Sequence, residues 1–258
     1  MGDLAGFERY YLRVLGRKES TTERQVERLK TWERLAGKPA TEIGPGDVLA
    51  YLEFNPLGHA GNTRKGMLSS IQAFHRFESA TGDKVLNGIC DIASPSINDE
   101  DSPPPLDPRH VRPLMAACRL PLEYRVIYGG LFLGLRIGES GYLHGKMWSD
   151  GCIWIRGEKK DKVRAVPVHP ELDKVMWNLL AHPPTDPATM QRVKRRIAKR
   201  AGVTFVSHQL RKRFAQDLAN AGVDKGTRAD LLGHRTVDDL YAQPALSTLR
   251  EAISRLPY

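Results

Sequence analysis

The chain has 258 residues, 41% of them hydrophobic, and a net charge of +9, which is enough for one large or two small globular cores. No apolar run reaches the roughly 18 residues of a membrane span, the start Met1-Gly-Asp-Leu is no signal peptide, and Cys90, Cys118 and Cys152 are too scattered for a disulfide framework or structural zinc, so a soluble cytoplasmic protein with reduced thiols is expected. The charge is uneven: residues 1–93 carry 13 Lys/Arg against 12 Asp/Glu, residues 94–107 carry four acids and no base, and residues 108–258 carry 26 against 14, a net +12 that suits a polyanion such as nucleic acid or a merely solvated basic surface.

Residues 1–93 read as a helical domain. Ser20-Thr-Thr-Glu23 has the spacing of a capping box and opens a helix that turns Val26, Leu29 and Trp32 inward. Asn62 is expected to cap a later helix, where Met67, Ile71, Phe74 and Phe77 form one apolar stripe. Arg64 and Lys65 fall in its first turn, placed to meet a phosphate or simply to be solvated. Ser94 to Pro108 holds five prolines, an acidic cluster and little to bury, so residues 94–107 read as a linker.

In the second domain, 108–258, helical pattern runs from Pro108 through Leu143. The period then changes. Cys152–Arg156 and Val163–Val168 are β-branched runs joined by Gly157-Glu-Lys-Lys-Asp-Lys162, a hairpin signal. Helices resume near Glu171, with stops near Gly202, Gly222 and Gly233. The terminal stretch Leu246–Leu256 puts Leu249, Ile253 and Leu256 on one face. The fold class is mainly α with one small sheet (α+β).

Several groups in this domain carry chemistry. Arg136 stands in Leu133-Gly-Leu-Arg-Ile-Gly-Glu139, inside an apolar helical stretch with Glu139 three residues on; a buried ion pair is the plain alternative. Lys159 lies in the hairpin turn, with Lys160 and Lys162 as competitors. His208-Gln-Leu-Arg211 sets an imidazole and a guanidinium one helical turn apart. Leu231-Leu-Gly-His234 exposes a histidine after a helix stop, and Tyr241 follows seven residues later. A tyrosine hydroxyl, with a pKa of about 10, attacks phosphate poorly. Cations must therefore clamp the non-bridging oxygens, where bidentate arginine is favoured, and a donor must protonate the leaving oxygen.

Taken in order, these motifs resemble the catalytic domain of the tyrosine recombinase, or phage integrase, family, over residues 108–258. The family pattern is an arginine in G-L-R-x-x-E, a hairpin lysine ahead of a V-P strand, H-x-L-R, L-G-H and then tyrosine. Counting back eight residues from Pro167 places the lysine at Lys159. The His234 to Tyr241 spacing is two residues shorter than is usual for the family. Residues 1–93 are similar in size and order to the family's core-binding domain, a helical SAM-like DNA-binding domain, and nothing stands before it for an arm-binding domain, so a minimal recombinase is expected.

The resemblance implies strand cleavage and rejoining through a 3′-phosphotyrosyl link at Tyr241, without ATP or metal. Arg136 and Arg211 would hold the scissile phosphate, with Glu139 buttressing Arg136. His208 would assist proton removal, Lys159 would protonate the leaving oxygen, and His234 would donate to a non-bridging oxygen. Arg64, Lys65, Lys160, Lys162, Arg195 and Arg196 are the candidate DNA contacts. The implied partners are double-stranded DNA with specific attachment sites and a tetramer of this chain on that DNA, joined through the C-terminal helix, in phage or mobile-element integration. Two rivals have the same raw material: a type IB topoisomerase, and a regulator whose Phe214 to His234 segment is a helix-turn-helix.

Overall fold

The computed structural model describes residues 3–82, 88–95, 103–157, 163–233 and 245–258. The chain divides into two compact units, Met1–Ser102 and Pro103–Tyr258. Each has its own apolar core. No described helix is long and apolar enough to cross a membrane.

In the first unit, α1 (Leu4–Arg9) runs into a π turn, Tyr10–Val14, and is followed by α2 (Glu19–Ala36), α3 (Pro45–Phe54) and α4 (Gly61–Thr81). The apolar stripe of α4 is realised: Met67, Ile71, Phe74 and Phe77 are buried with Phe7, Leu29 and Trp32. Val26 packs at the margin of this cluster. Trp32 donates its indole N–H to the Met67 carbonyl at 2.9 Å, which ties α2 to α4. Both expected helix starts are displaced. The Lys18 carbonyl takes the amides of Thr21 and Thr22, so α2 begins at Glu19 and Ser20 lies inside it. The Ala60 carbonyl takes the amides of Thr63 and Arg64, leaving Asn62 inside the first turn of α4. In each case the carbonyl two residues upstream of the expected cap takes the first amides, so the helix starts earlier.

The second unit opens with α5 (Pro108–Ala116) and α6 (Pro121–Phe132). Residues 103–107, the end of the segment read as a linker, lie against this unit. Leu106 is buried and its amide donates to the Gln209 carbonyl. The single helical pattern expected from Pro108 to Leu143 is broken into three, because Pro121 restarts the chain as α6 and Gly134 turns it through φ +57° before α7 (Ile137–Gly141). A side chain at Gly134 would meet the Phe214 ring at 2.8 Å. Close approach and a left-handed backbone thus both require glycine there.

A three-stranded antiparallel sheet follows, β1 (Trp148–Ser149), β2 (Cys152–Arg156) and β3 (Val163–Pro167), in the order β1-β2-β3. Ile155 pairs with Arg164, and Cys152 with Pro167. Short helices α8 (Pro170–Asp173) and α9 (Met176–Leu180) lead to α10 (Pro187–Ala201), α11 (Ser207–Asn220), α12 (Lys225–Leu232) and α13 (Leu246–Ser254). Helix α6 is central, with Val126, Ile127, Leu131 and Phe132 buried. Gly130 lets Leu210 of α11 press against it, since a Cβ there would stand 2.7 Å from the Leu210 Cβ. Helix α13 buries Leu249, Ala252 and Ile253 in this same core, together with Leu256.

Candidate active site

The left-handed turn at Gly134 sets the site's first residue. It delivers Arg136 as the residue preceding α7, in extended backbone (φ −72°, ψ 156°), and not inside a helix as the sequence pattern suggested. Glu139, in the first turn of α7, reaches back. Its Oε2 accepts the Arg136 amide at 2.9 Å and its Oε1 accepts Nη1 of the Arg136 side chain at 2.9 Å. The Glu139 side chain is wholly buried, whereas that of Arg136 is 35% exposed. One end of the Arg136 guanidinium is therefore fixed while the rest faces out.

Helix α11 brings the second pair. The Gln209 side chain accepts the Val206 amide and closes the helix start. His208 and Arg211 follow one turn apart. Arg211 is buried, with Nη1 on the Gly134 carbonyl and Nη2 on the Leu232 carbonyl, both at 2.5 Å. Its Nη1 lies 3.7 Å from Oε2 of Glu139. Arg211 thus pins the turn before Arg136 to the end of α12. His208 shares with Arg136 the wall of an open hollow of about 490 Å³, which Gln191, Lys194 and Ser207 also line.

One further arginine converges on Glu139. Arg164 of β3 places Nη2 2.9 Å from Oε2 and Nη1 3.3 Å from Oε1. The sequence reading passed over it. Strand alternation was the available signal: Arg164 stands two residues before the buried Val166, on the inward face of the strand.

The charges respond to this crowding. Burial alone would raise the Glu139 pKa, but the hydrogen bond and charge of Arg164, the Arg136 amide and the charge of Arg211 hold it at about 2. Burial lowers the Arg211 pKa to about 9, with Arg136 and Arg164 adding to the effect and Glu139 opposing it. The guanidinium is still protonated at neutral pH. His208 is lowered from the ordinary imidazole value by burial and then by Arg211, Lys212 and Arg136. Three guanidiniums around one carboxylate leave a local excess of positive charge beside a neutral imidazole. Such a place suits an anion.

Of the remaining expected site residues, Lys159, Lys160, Lys162, His234 and Tyr241 lie outside the described residues. Lys65 is exposed on α4, and Arg64 donates to the Leu52 carbonyl at 3.2 Å. Arg195 lines a second hollow with Lys194, Lys199 and Thr204. Arg196 donates Nε to Glu123 at 3.0 Å, and Arg200 joins the same carboxylate.

A model of the phage integrase family matches residues 106–243. The chain belongs to the phage integrase family. The tyrosine recombinase XerA of Pyrococcus furiosus is 26% identical over 151 residues, covering 50% of this chain and 52% of the relative. That match spans about half of the relative's length. Among solved structures, a lambda integrase tetramer bound to a Holliday junction has a TM-score of 0.71 at 18% identity, covering 93% of this chain and 78% of that one. The XerH site-specific recombinase in a post-cleavage complex with a palindromic difH substrate has a TM-score of 0.60 at 17% identity, covering 90% and 76%. These likenesses show the fold, a helical protein with one small antiparallel sheet.

Proposed function

We propose that this integrase-family chain is a site-specific tyrosine recombinase. The observation that carries the reading is that Arg136 and Arg211 converge on buried Glu139 while His208 shares the hollow of Arg136, from segments more than 60 residues apart in sequence and in the order of the family motif. In this reading Tyr241 Oη attacks the scissile phosphorus and its proton leaves with the help of neutral His208. The bond to the 5′ oxygen breaks, and Lys159 protonates that oxygen. The product is a 3′-phosphotyrosyl link and a free 5′ hydroxyl, which then attacks the link in the partner strand. One phosphoester replaces another at each step, so bond energy is conserved. Arg136 and His234 donate to non-bridging oxygens. Arg211, buried beside Glu139, holds the scissile phosphate together with Arg136. Glu139 keeps Arg136 aimed.

The substrates in this reading are duplexes with specific attachment sites, and two of them require four copies of the chain. The C-terminal helix α13 is the proposed link between copies. Its apolar face rests on its own unit in the single chain, so passing it to a neighbour exchanges one burial for a similar one, and net assembly must be driven by DNA.

A nicked suicide substrate, from which the freed 5′ end is lost, tests the reading. The wild-type chain should leave a covalent protein–DNA adduct on a denaturing gel, and Tyr241→Phe should bind DNA yet leave none. Tyr258 is a poor substitute nucleophile, because burial and its hydrogen bond to the Asp217 carboxylate raise its pKa. An adduct from Tyr241→Phe sinks the assignment, and absence of any adduct from the wild type favours a non-catalytic DNA-binding protein.

A further inference from the structure

Arg164 belongs to none of the motifs above, yet it bonds directly to the carboxylate at the centre of the site's framework. Its side chain is 7% exposed and forks onto both oxygens of Glu139, the carboxylate that holds the Arg136 amide and side chain. Its stem lies under Gly233: a Cβ built there would stand 3.2 Å from the Arg164 Cδ and 3.4 Å from its Nη1. Its own strand, β3, is paired to β2 through Ile155. One buried guanidinium thus joins the sheet, the end of α12 and the turn that carries Arg136.

Part of this arrangement is structural, since the Arg164 hydrogen bond and charge lead the groups that keep buried Glu139 ionised, but it also carries a cost. Glu139 is already paired with Arg136 and approached by Arg211, and a third buried cation adds repulsion and desolvation cost. The Arg164 Nε is buried without an acceptor among the described residues, a further cost. The surplus makes sense once an anion arrives, because a bidentate grip from below fixes the carboxylate plane and with it the direction of the exposed edge of Arg136.

We infer that Arg164 is a positioning residue of the phosphate site: by holding Glu139 from the β3 side it aims Arg136 and adds its charge to the field on the scissile phosphate. The inference rests on the recombinase reading. Its test uses the full-length chain and two duplex substrates, one ordinary and one in which a non-bridging oxygen of the scissile phosphate is replaced by methyl. The methylphosphonate is neutral, so cleavage there depends far less on aimed positive charge.

Arg164→Met should slow cleavage of the ordinary substrate by on the order of 10- to 100-fold, as for removed outer supports of a charged site, and should slow the methylphosphonate much less. Arg164→Lys keeps a charge but not the fork. It should show the same selectivity with a smaller loss, and it carries the test if Arg164→Met does not fold. Equal slowing on both substrates, or wild-type rates, overturns the assignment. Arg136→Ala, run in parallel, separates the two layers: if its loss is also equal on both substrates, the reading of the phosphate site fails, whereas selectivity for Arg136→Ala without selectivity for either Arg164 variant defeats the inference alone.

Discussion

Arg136 and His208 face the same hollow but are tuned in opposite ways, and each tuning can be tested. Arg136 has one nitrogen fixed by Glu139 and an exposed remainder, so its contribution depends on the planar fork. Arg136→Lys should cut the cleavage rate by about 100-fold or more, as for lost oxyanion donors, with DNA affinity little changed because the charge persists. Near-normal single-turnover cleavage by Arg136→Lys would make the residue structural. His208 is tuned by burial and by the cations around it, which lower its pKa from 6.5. Below 6.5 the folded protein binds fewer protons at this ring than the unfolded chain does, so protonation opposes folding and stability from this group falls as pH drops through that window. The same shift keeps a neutral proton acceptor available at lower pH. Lys212→Gln removes one of the lowering charges, so the His208 imidazole resonance should titrate at higher pH and the acid limb of the cleavage profile should move up with it. An unmoved midpoint would mean that Lys212 does not act on the ring.

Between helices, the clearest energetic joint is Glu123. Its side chain is wholly buried at the start of α6, where it accepts the amides of Arg119 and Leu120 at 2.7 and 3.2 Å and binds Arg196 and Arg200 of α10. Burial would raise its pKa, but the Arg200 hydrogen bond and those two amides hold it at about 2. Its stabilisation is therefore complete above the ordinary carboxylate value of 4.5 and is lost as pH falls from there toward 2. Glu123→Ala should cost about 3 kcal/mol, the lower end for a broken buried pair, because Arg196, 51% exposed, regains water. Arg196→Ala should cost under about 1 kcal/mol. Urea midpoints at neutral pH check both, and a Glu123→Ala loss no larger than that of Arg196→Ala would show that the carboxylate is not the joint. The same scale shows what the sequence could disclose. Periodicity found the α4 stripe and the hairpin, because burial imposes a period on side chains. It misplaced the starts of α2 and α4, where the Lys18 and Ala60 carbonyls take the first amides, and it ran α5, α6 and α7 together, passing over the break at Pro121 and the left-handed turn at Gly134. The two-residue β1 is too short to have a period. Arg136, Glu139, His208 and Arg211 were legible because their spacing is local, whereas the role of Arg164 depends on contacts 25 and 69 residues away in sequence.

Across the whole molecule the charge is carried almost entirely by residues 108–258, at +12 against +1 for residues 1–93. If DNA is the partner, this charge displaces condensed counterions, and the logarithm of the binding constant should fall linearly with that of salt, by about 0.9 for each phosphate neutralised. Individual cations can be read from that slope. Lys65, exposed on α4, and Arg195, on the open hollow beside Lys199, make no ion pair among the described residues. Lys65→Gln and Arg195→Gln should each flatten the slope by about one phosphate contact. Arg196 differs by a single neighbour in sequence but is already paired with Glu123. Its charge is partly neutralised before DNA arrives, so Arg196→Gln should flatten the slope by clearly less than Arg195→Gln. Fluorescence anisotropy on one duplex across a salt series measures all three. Equal slopes for Arg195→Gln and Arg196→Gln would show that Arg196 abandons Glu123 on DNA, and an unchanged slope for Lys65→Gln would remove the first unit's α4 from the phosphate backbone.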